Sequence, residues 1–428
     1  MSDDRAEEPV AAERQGGGAG RSEQFGTVSD DRAEEPVAAE RQGGGVGRSE
    51  QFGTVNASTL LPRLRAERAR ILDDVAALVN CESPSDDLVA TAACAELVAE
   101  LGRELIGVSA EVHAAGGRRH LVWRCGGPTS VLLVGHCDTV WPMGTLARWP
   151  FSVEDDRATG PGIFDMKAGL AQLFHGLAAL DDLTGVTVLV TTDEELGSPT
   201  SRELIEAEAA GARAALVLEA SAGGAVKTVR KGTSIYQLAV HGKAAHAGLE
   251  PEAGVNATTE AAHQVLAIGA LGDETLGTTV TPTVLRSGRT TNTVPDLAEL
   301  AVDSRAADVA EQRRVDAAMR ALQPVLPGAR LELTGGINRP PLPAEASADL
   351  FALAAAVARN IGLPELRSIA VGGASDGNFT AGVGTPTLDG LGAVGEHAHA
   401  EGEWASVAAM ADRAALIAGL VDAVRSAR

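Results

Sequence analysis

Three consecutive acids, Asp193, Glu194 and Glu195, directly follow an apolar run in the stretch VTVLVTTDEELGS, residues 186–198. Adjacent carboxylates repel one another, so this run requires nearby positive charge. Carboxylates act as general acids and bases, and their oxygens also bind metal ions. The run therefore indicates a site of chemistry if other segments bring matching groups to it.

A histidine and an acid stand two residues apart at the end of another apolar run, VLLVGHCDTV. Residues two apart on a strand face the same side. His136 could bind a metal through one ring nitrogen, while Asp138 accepts the other ring N–H and fixes the tautomer. A hydrogen-bonded structural histidine is the alternative. Cys137 is expected to point away and pack.

Further candidate ligands lie in other segments. Asp165 in GPGIFDMKAG stands between a glycine-rich turn and a helix, where it could cap the helix or bridge two cations. Glu219 ends the run AALVLEAS, and GEHAHAEGEW offers His397 and His399. Two imidazoles and three carboxylates are a set of ligands that suits a pair of zinc ions, and one glutamate remains that is not needed as a ligand. Such a pair activates a water molecule and stabilises a developing oxyanion.

The segments that carry these groups predict an α/β fold. From about residue 57, short apolar runs bounded by Gly and Pro alternate with amphipathic helical segments. This order predicts a mainly parallel central sheet covered on both faces. The acids and histidines fall at strand ends, where the active sites of such sheets gather.

The composition and the pattern of apolar residues change along the chain, and these changes predict a division into domains. Residues 2–28 recur at 29–55 with a single change, and this duplicated leader is too polar to form a core, so 1–55 is expected to be disordered. Residues 234–343 alternate like strands with one wet face and predict a smaller α+β unit. It would interrupt a catalytic domain formed by 56–233 and 344–428.

Composition excludes several classes of function. The net charge of -22 argues against binding nucleic acid through its phosphates. No apolar run is long enough to cross a bilayer, and the N-terminus lacks the basic and apolar regions of a signal peptide. Four cysteines without CxxC spacing indicate reduced thiols, so a cytoplasmic protein is expected.

Six motifs in order, GHCDTVW, GPGIFDMKAG, TTDEELGS, LEAS, GKAAHAG and HAEGEW, resemble those of the M20 zinc peptidases, in their glutamate carboxypeptidase branch. The resemblance covers residues 57–428. It implies a zinc-peptidase catalytic domain interrupted by a lid and dimerisation domain. It also implies two Zn²⁺ ions, replaceable in vitro by Co²⁺ or Mn²⁺, and a homodimer formed through the inserted domain.

The resemblance assigns a role to each candidate. One zinc would be held by His136, Asp165 and Glu219, and the other by Asp165, Glu195 and His399. Asp165 would bridge, Asp138 would orient His136, and Glu194 would be the general base. The segment HAEGEW departs from the family at Ala400 and Gly402, and His397 stays the alternative ligand. His399 is preferred because it stands four residues before Glu403, as in the family.

Five further residues resemble positions that bind substrate: His246, Asn292, Arg339, Gly372 and Gly373. His246 would approach the substrate carbonyl oxygen from the inserted domain. Asn292 and Arg339 would hold a terminal carboxylate, which a guanidinium can bind with two parallel hydrogen bonds. A structural histidine and a surface arginine are the alternatives. The glycines would let the backbone approach the ligand closely.

These features predict a dinuclear zinc amide hydrolase. It would release a C-terminal residue, glutamate foremost, from a small peptide or N-acyl substrate. An N-acyl-amino-acid deacylase of the acetylornithine deacetylase or aminoacylase type is the alternative within the class. A catalytically inactive binding protein is disfavoured because all five ligands and Glu194 are present.

Overall fold

Residues 57–427 are the part of the chain that the computed structural model describes, and they contain a six-stranded central sheet, four smaller sheets and eleven α-helices. The helices are α1 (Ala57–Ala66), α2 (Arg68–Val79), α3 (Leu88–Ile106), α4 (Thr145–Arg148), α5 (Ala168–Ala178), α6 (Arg202–Ala209), α7 (Ala257–Gly269), α8 (Val309–Arg320), α9 (Ala344–Asn360), α10 (Gly377–Gly382) and α11 (Val407–Ser426). The first nine strands are β1 (Glu111–Ala115), β2 (Arg118–Arg124), β3 (Val131–His136), β4 (Ser152–Glu154), β5 (Arg157–Thr159), β6 (Val186–Thr191), β7 (Ala214–Val217), β8 (Val226–Arg230) and β9 (Gly232–His241). The others are β10 (Ala245–His246), β11 (Thr279–Ser287), β12 (Thr293–Val294), β13 (Leu297–Ala306), β14 (Arg330–Arg339), β15 (Ser368–Val371), β16 (Thr387–Leu388), β17 (Gly395–Glu396) and β18 (Trp404–Ser406).

The central sheet has the strand order β1-β2-β6-β3-β7-β16. Strands β6, β3, β7 and β16 run parallel, and β1 and β2 add an antiparallel edge. All residues of β3 and β6 are buried, which explains why both read as continuous apolar runs: a parallel sheet is covered on both faces. The predicted α/β fold with a mainly parallel sheet is confirmed.

Helices cover the two faces of this sheet. On one face α5 is buried along nearly its whole length and packs against α11. A Cβ atom added at Gly176 would lie 2.7 Å from the carbonyl oxygen of Ala414, so glycine is required for this close approach. On the other face, Ile205 of α6 and Phe379 of α10 pack against strand residues such as Val134.

A four-stranded antiparallel sheet, in the order β11-β13-β9-β14, lies between Gly232 and Arg339. Burial alternates along β9 and β13, as the sequence pattern predicts for a sheet with one covered face. Side chains such as Tyr236, Leu300 and Val315 form a core of its own with α7 and α8. Treating this part as a separate inserted domain stays a prediction.

Three local features complete the fold. The N-terminal helical segment divides at Glu67 into α1 and α2. The last helix begins at Val407, because Trp404–Ser406 pairs with β5 as a strand and Ser406 caps the helix. The strand β15 pairs in parallel with β8 and lies outside the central sheet.

Two further expectations concern the chain as a whole. The duplicated leader, 1–55, lies outside the described residues. Within 57–427, no helix combines the length and the apolar character needed to cross a membrane.

Candidate metal centre

The candidate site lies at the carboxyl edge of the central sheet, where β6, β3 and β7 are neighbours. His136 is the last residue of β3 and pairs with Thr191, the last residue of β6. Glu219 follows the end of β7 by two residues. Because the ends of parallel strands meet at one edge, side chains far apart in the sequence converge there.

Asp165 lies between two histidines and turns one carboxylate oxygen toward each. Its Oδ1 is 3.2 Å from His136 Nε2, and its Oδ2 is 3.3 Å from His399 Nε2. On the first side, Glu219 Oε1 lies 3.5 Å from His136 Nε2. On the second side, Glu195 Oε2 lies 3.2 Å from His399 Nε2. The five predicted ligands therefore form two groups that share Asp165.

His136 is held through the main chain of Asp138. Its Nδ1 lies 3.0 Å from the carbonyl oxygen of Asp138, whereas the carboxylate Oδ1 is 3.6 Å away. The Asp138 carboxylate accepts hydrogen bonds from the Ser85 hydroxyl and from the N–H groups of Glu194 and Glu195. Asp138 thus accepts the Nδ1–H of His136 with its carbonyl group and holds the glutamate pair with its carboxylate.

The three consecutive acids point in different directions. Glu194 and Glu195 begin a short 3₁₀ turn, Glu194–Leu196, and both face the site. Asp193 is buried on the opposite side, where it accepts hydrogen bonds from the Thr200 N–H and hydroxyl and from the Ser201 hydroxyl. The first acid of the run therefore secures the loop before α6.

Arg339 contacts Glu194 inside the protein. Its side chain is 8% exposed, and its Nη2 donates to Glu194 Oε1 at 2.8 Å and to the Glu194 carbonyl oxygen at 3.1 Å. The same nitrogen reaches the Ser198 hydroxyl and Asp376 Oδ1 at 2.8 and 3.0 Å. Arg339 is thus not a surface arginine. In this arrangement it holds Glu194, and its contact with a substrate carboxylate stays a prediction.

Arg230 supports the other side of the site and was missed in the sequence. It forms a two-point ion pair with Asp389, at 2.7 and 3.1 Å, and lies 3.6 Å from Glu219 Oε2. Its Nη1 also donates to the carbonyl oxygen of Gly373. Nothing in the segment TVRKG distinguishes this arginine from one on the surface, because Asp389 is 159 residues away.

The two histidines of GEHAHAEGEW differ in their surroundings. The loop between β17 and β18 places His399 against Asp165 and Glu195. His397 is exposed, and its Nε2 lies 4.0 Å from Glu396. Both histidines have a left-handed backbone, with φ of 69° at His397 and 63° at His399, which is uncommon for residues other than glycine. The geometry thus favours His399 as the candidate ligand.

Burial and mutual charge shift the titration of the site. Burial disfavours the imidazolium of His136, but the carboxylates of Asp138, Asp165 and Glu219 outweigh it and hold its pKa well above the usual range. The carboxylates of Asp165 and Glu195 raise the pKa of His399 to about 11. Protonated histidines supply here the positive charge that these acids require.

The pKa values of the two glutamates are raised as well, and the main cause is burial. Burial, reinforced by Glu219 and Asp376, raises the pKa of Glu194 well above its usual range despite the Arg339 guanidinium. Burial likewise raises the pKa of Glu195. These directions are those of carboxylates removed from water.

The residues present fit divalent metal ions. Ligand atoms of His136, Glu194 and Glu219 lie within 4.8 Å of one another, as do those of His136, Asp165 and Glu195. Glu195 Oε1 is buried and has no hydrogen-bond partner among the described residues, as expected of an oxygen that awaits a cation. Imidazole nitrogens with carboxylate oxygens are a donor set that suits zinc.

The other predicted substrate residues lie apart from this cluster. His246 and Asn292 are exposed. His246 Nδ1 accepts the N–H groups of Gly248 and Leu249, which leaves Nε2 as a donor. Gly372 is also exposed and has open space at the position of a Cβ atom, and Gly373 contacts Arg230. Their roles in binding substrate stay predictions.

The fold, together with acids and histidines converging at its carboxyl edge, is that of a metal-dependent hydrolase. The sequence model of peptidase family M20/M25/M40 matches residues 132–423. The chain belongs to this family, whose members generally depend on a metal, usually zinc. The resemblance read from the six motifs and the expectation of an enzyme are confirmed.

The chain is similar to individual members of the family in sequence and in fold. Carboxypeptidase G2 of Pseudomonas sp. (strain RS-16) is 35% identical over 309 residues, 69% of this chain and 74% of that protein. Succinyl-diaminopimelate desuccinylase of Wolinella succinogenes is 31% identical over 148 residues, 32% of this chain and 41% of that protein. A solved tripeptidase of Staphylococcus aureus subsp. aureus Mu50 shares the fold, with a TM-score of 0.66 and 22% identity, covering 84% of this chain and 99% of its own.

Proposed function

We propose that this chain is a dinuclear zinc hydrolase that releases a C-terminal residue, glutamate foremost, from a small peptide or N-acyl substrate. The observation that carries the proposal is the position of Asp165, with one oxygen toward His136 and the other toward His399. Its flanking acids, Glu219 and Glu195, complete two three-residue ligand sets. The 35% identity to carboxypeptidase G2 supports the interpretation of this chain as a carboxypeptidase.

The metal ions would act as Lewis acids toward the amide carbonyl and a water molecule. Glu194 belongs to neither ligand set and lies within 4.8 Å of His136 and Glu219. This position suits a carboxylate that takes a proton from the attacking water and passes it to the leaving nitrogen. A C–O bond forms at the carbonyl carbon while the C–N bond breaks, and the proton leaves with the amine.

Arg339 would keep Glu194 turned toward the substrate. The hydrogen bond from Nη2 to Oε1 fixes one carboxylate oxygen, and Asp376 and Ser198 hold the guanidinium in place. Removing one partner from such a buried group leaves an uncompensated charge, at a cost of about 3–5 kcal/mol. Arg339 would therefore position Glu194 through Nη2, and the other N–H groups of its guanidinium would bind the substrate carboxylate.

We also propose an oligomeric state and a cellular location for this protein. His246 is exposed with Nε2–H as its donor, and among the described residues it contacts none of the five ligands. We therefore propose a homodimer in which His246 of each subunit approaches the substrate carbonyl oxygen in the other. The four free cysteines support a cytoplasmic location.

A deacylase of N-acyl amino acids is the second candidate, favoured by the identity to the desuccinylase. The same ligands and the same Glu194 would serve both reactions, and only the pocket for the acyl group would differ. The two candidates therefore separate by substrate.

A hydrolysis screen of matched substrates tests the proposal. The zinc-loaded protein is given N-acyl and dipeptide substrates ending in Glu, Ala or Lys, each as the free acid and as the C-terminal amide. We expect kcat/KM to be at least about tenfold higher for C-terminal Glu with a free carboxylate, about 1.4 kcal/mol of discrimination. Faster turnover of N-succinyl or N-acetyl diamino acids would favour the deacylase. Absence of any hydrolysis by zinc-loaded protein would refute both.

A further inference from the structure

Glu403 is a buried carboxylate that receives four hydrogen bonds. Its side chain has no exposed surface, and it lies directly before β18. Oε2 accepts from Trp141 Nε1 at 2.8 Å and from the N–H of Gly162 at 3.1 Å. Oε1 accepts from the N–H groups of Phe164 and Asp165 at 2.7 and 2.9 Å. One side chain thus gathers most of the donors of the loop that carries Asp165.

Two other N–H groups of this loop, residues 160–165, have main-chain acceptors: Ile163 donates to the carbonyl oxygen of Gly160, and Gly160 donates to the carbonyl oxygen of Glu403. Gly162 has a φ of 72°, and a Cβ atom there would lie 2.4 Å from Thr139 Cγ2. Asp165 has φ -117° and ψ 93°, so its N–H lies outside a helical hydrogen-bond pattern. Buried N–H groups must find an acceptor, and Glu403 provides it.

Glu403 also belongs to the loop that carries His399. Its N–H donates to the carbonyl oxygen of Ala400 at 3.1 Å, which closes a turn just after His399. The loop of Asp165 and the loop of His399 are 234 positions apart in the sequence, and Glu403 joins them. Asp165 Oδ2 and His399 Nε2, one from each of these loops, lie 3.3 Å apart.

We propose that Glu403 is a positioning residue for the metal position formed by Asp165, Glu195 and His399. It lies behind the ligands and fixes the distance between the two loops that carry them. Outer residues that orient ligands typically contribute 10- to 100-fold to metal affinity. This inference rests on the proposed function, because it takes Asp165 and His399 to be metal ligands.

The test is Glu403→Gln, with Glu260→Gln as a matched control. Glutamine has the same shape, but its NH₂ group would face two N–H donors in place of an acceptor oxygen. Glu260 is also fully buried and accepts hydrogen bonds from the N–H groups of Val325 and Leu326 and from Gln264. It lies in α7, away from the metal centre, and reports the general cost of changing such a carboxylate.

Zinc affinity and stoichiometry are measured by chelator competition on metal-free protein, together with the melting temperature. We expect both variants to melt lower, and only Glu403→Gln to bind one of two zinc ions about 10- to 100-fold more weakly. Wild-type affinity for both ions in a destabilised Glu403→Gln would overturn the inference, since the residue would then be structural only. Wild-type protein that binds no zinc would instead refute the proposed function.

Trp141→Phe keeps the inference testable if Glu403→Gln does not fold. This change removes one of four donors and leaves the three main-chain donors in place. We expect the affinity for the zinc ion held by Asp165, Glu195 and His399 to fall at least about threefold. This is a fraction of the effect of losing the whole carboxylate. Unchanged affinity for both ions would contradict the proposed positioning role.

Discussion

Glu194→Gln is expected to lower kcat by about 10²- to 10⁴-fold while the bound metal stays unchanged, because it removes a base and no ligand. The amide oxygen of glutamine can still accept the hydrogen bond that Arg339 Nη2 makes to Oε1. The local arrangement of Arg339, Ser198 and Asp376 should therefore survive. Steady-state kinetics and metal content by mass spectrometry, on the same preparation, measure the two effects.

The neighbouring change, Glu195→Gln, should give the opposite pattern in metal content. Glu195 Oε1 is buried without a hydrogen-bond partner among the described residues, and Oε2 faces His399. A neutral amide at this place is a poor ligand, so we expect the metal content to fall toward one ion per chain. Activity would fall with it.

Asp193→Asn is the matched control for the same run of acids. It removes one charge, and its amide can still pair with the hydroxyls of Thr200 and Ser201. We expect wild-type metal content and nearly wild-type kcat, with at most a small loss of stability. A Glu194→Gln protein depleted of metal, beside a fully loaded Glu195→Gln, would show that the roles of the two glutamates are reversed.

Mixing two inactive variants should restore activity if His246 acts across a dimer. Glu194→Ala and His246→Ala are each expected to be nearly inactive, the first for lack of the base and the second for lack of a donor near the carbonyl oxygen. In a mixed dimer, the His246→Ala subunit keeps its own Glu194 and receives His246 from its partner, so one site of two is complete. Random pairing makes about half the dimers mixed, which predicts about a quarter of wild-type activity.

The two variants are unfolded together and refolded, and differently tagged subunits are used to verify that mixed dimers form. Activity near zero in verified mixed dimers would show that His246 acts within its own subunit or not at all. A monomeric protein at assay concentrations would contradict the proposed dimer directly. His263→Ala, a histidine on α7, is a suitable control for general effects of the substitution.

Much of the fold follows from the sequence because burial leaves a direct pattern. The strands β3 and β6 are buried throughout and read as unbroken apolar runs, whereas β9 alternates because one face of its sheet is covered. The convergence of His136 and Glu219 follows in turn, since parallel strands end at one edge.

Other parts of the site depend on tertiary contacts that leave no such pattern. The sequence motifs do not show that Arg339 turns inward to Glu194, 145 residues away, or that Arg230 pairs with Asp389. The direction of Asp193 depends on the loop before α6, where its carboxylate accepts hydrogen bonds from the N–H and the hydroxyl of Thr200. His399 and His397 have the same chemistry, and only the loop conformation places one of them beside Asp165.

Titration of the metal-free wild-type protein with zinc tests the central claim most directly. The protein is stripped with a chelator, and bound zinc and hydrolytic activity are recorded together as zinc is added. We predict binding of two zinc ions per chain, no measurable turnover without them, and full activity only when both are bound. Turnover by protein that retains well under a tenth of an equivalent of any metal, or full activity at one equivalent, would contradict a dinuclear centre bridged by Asp165.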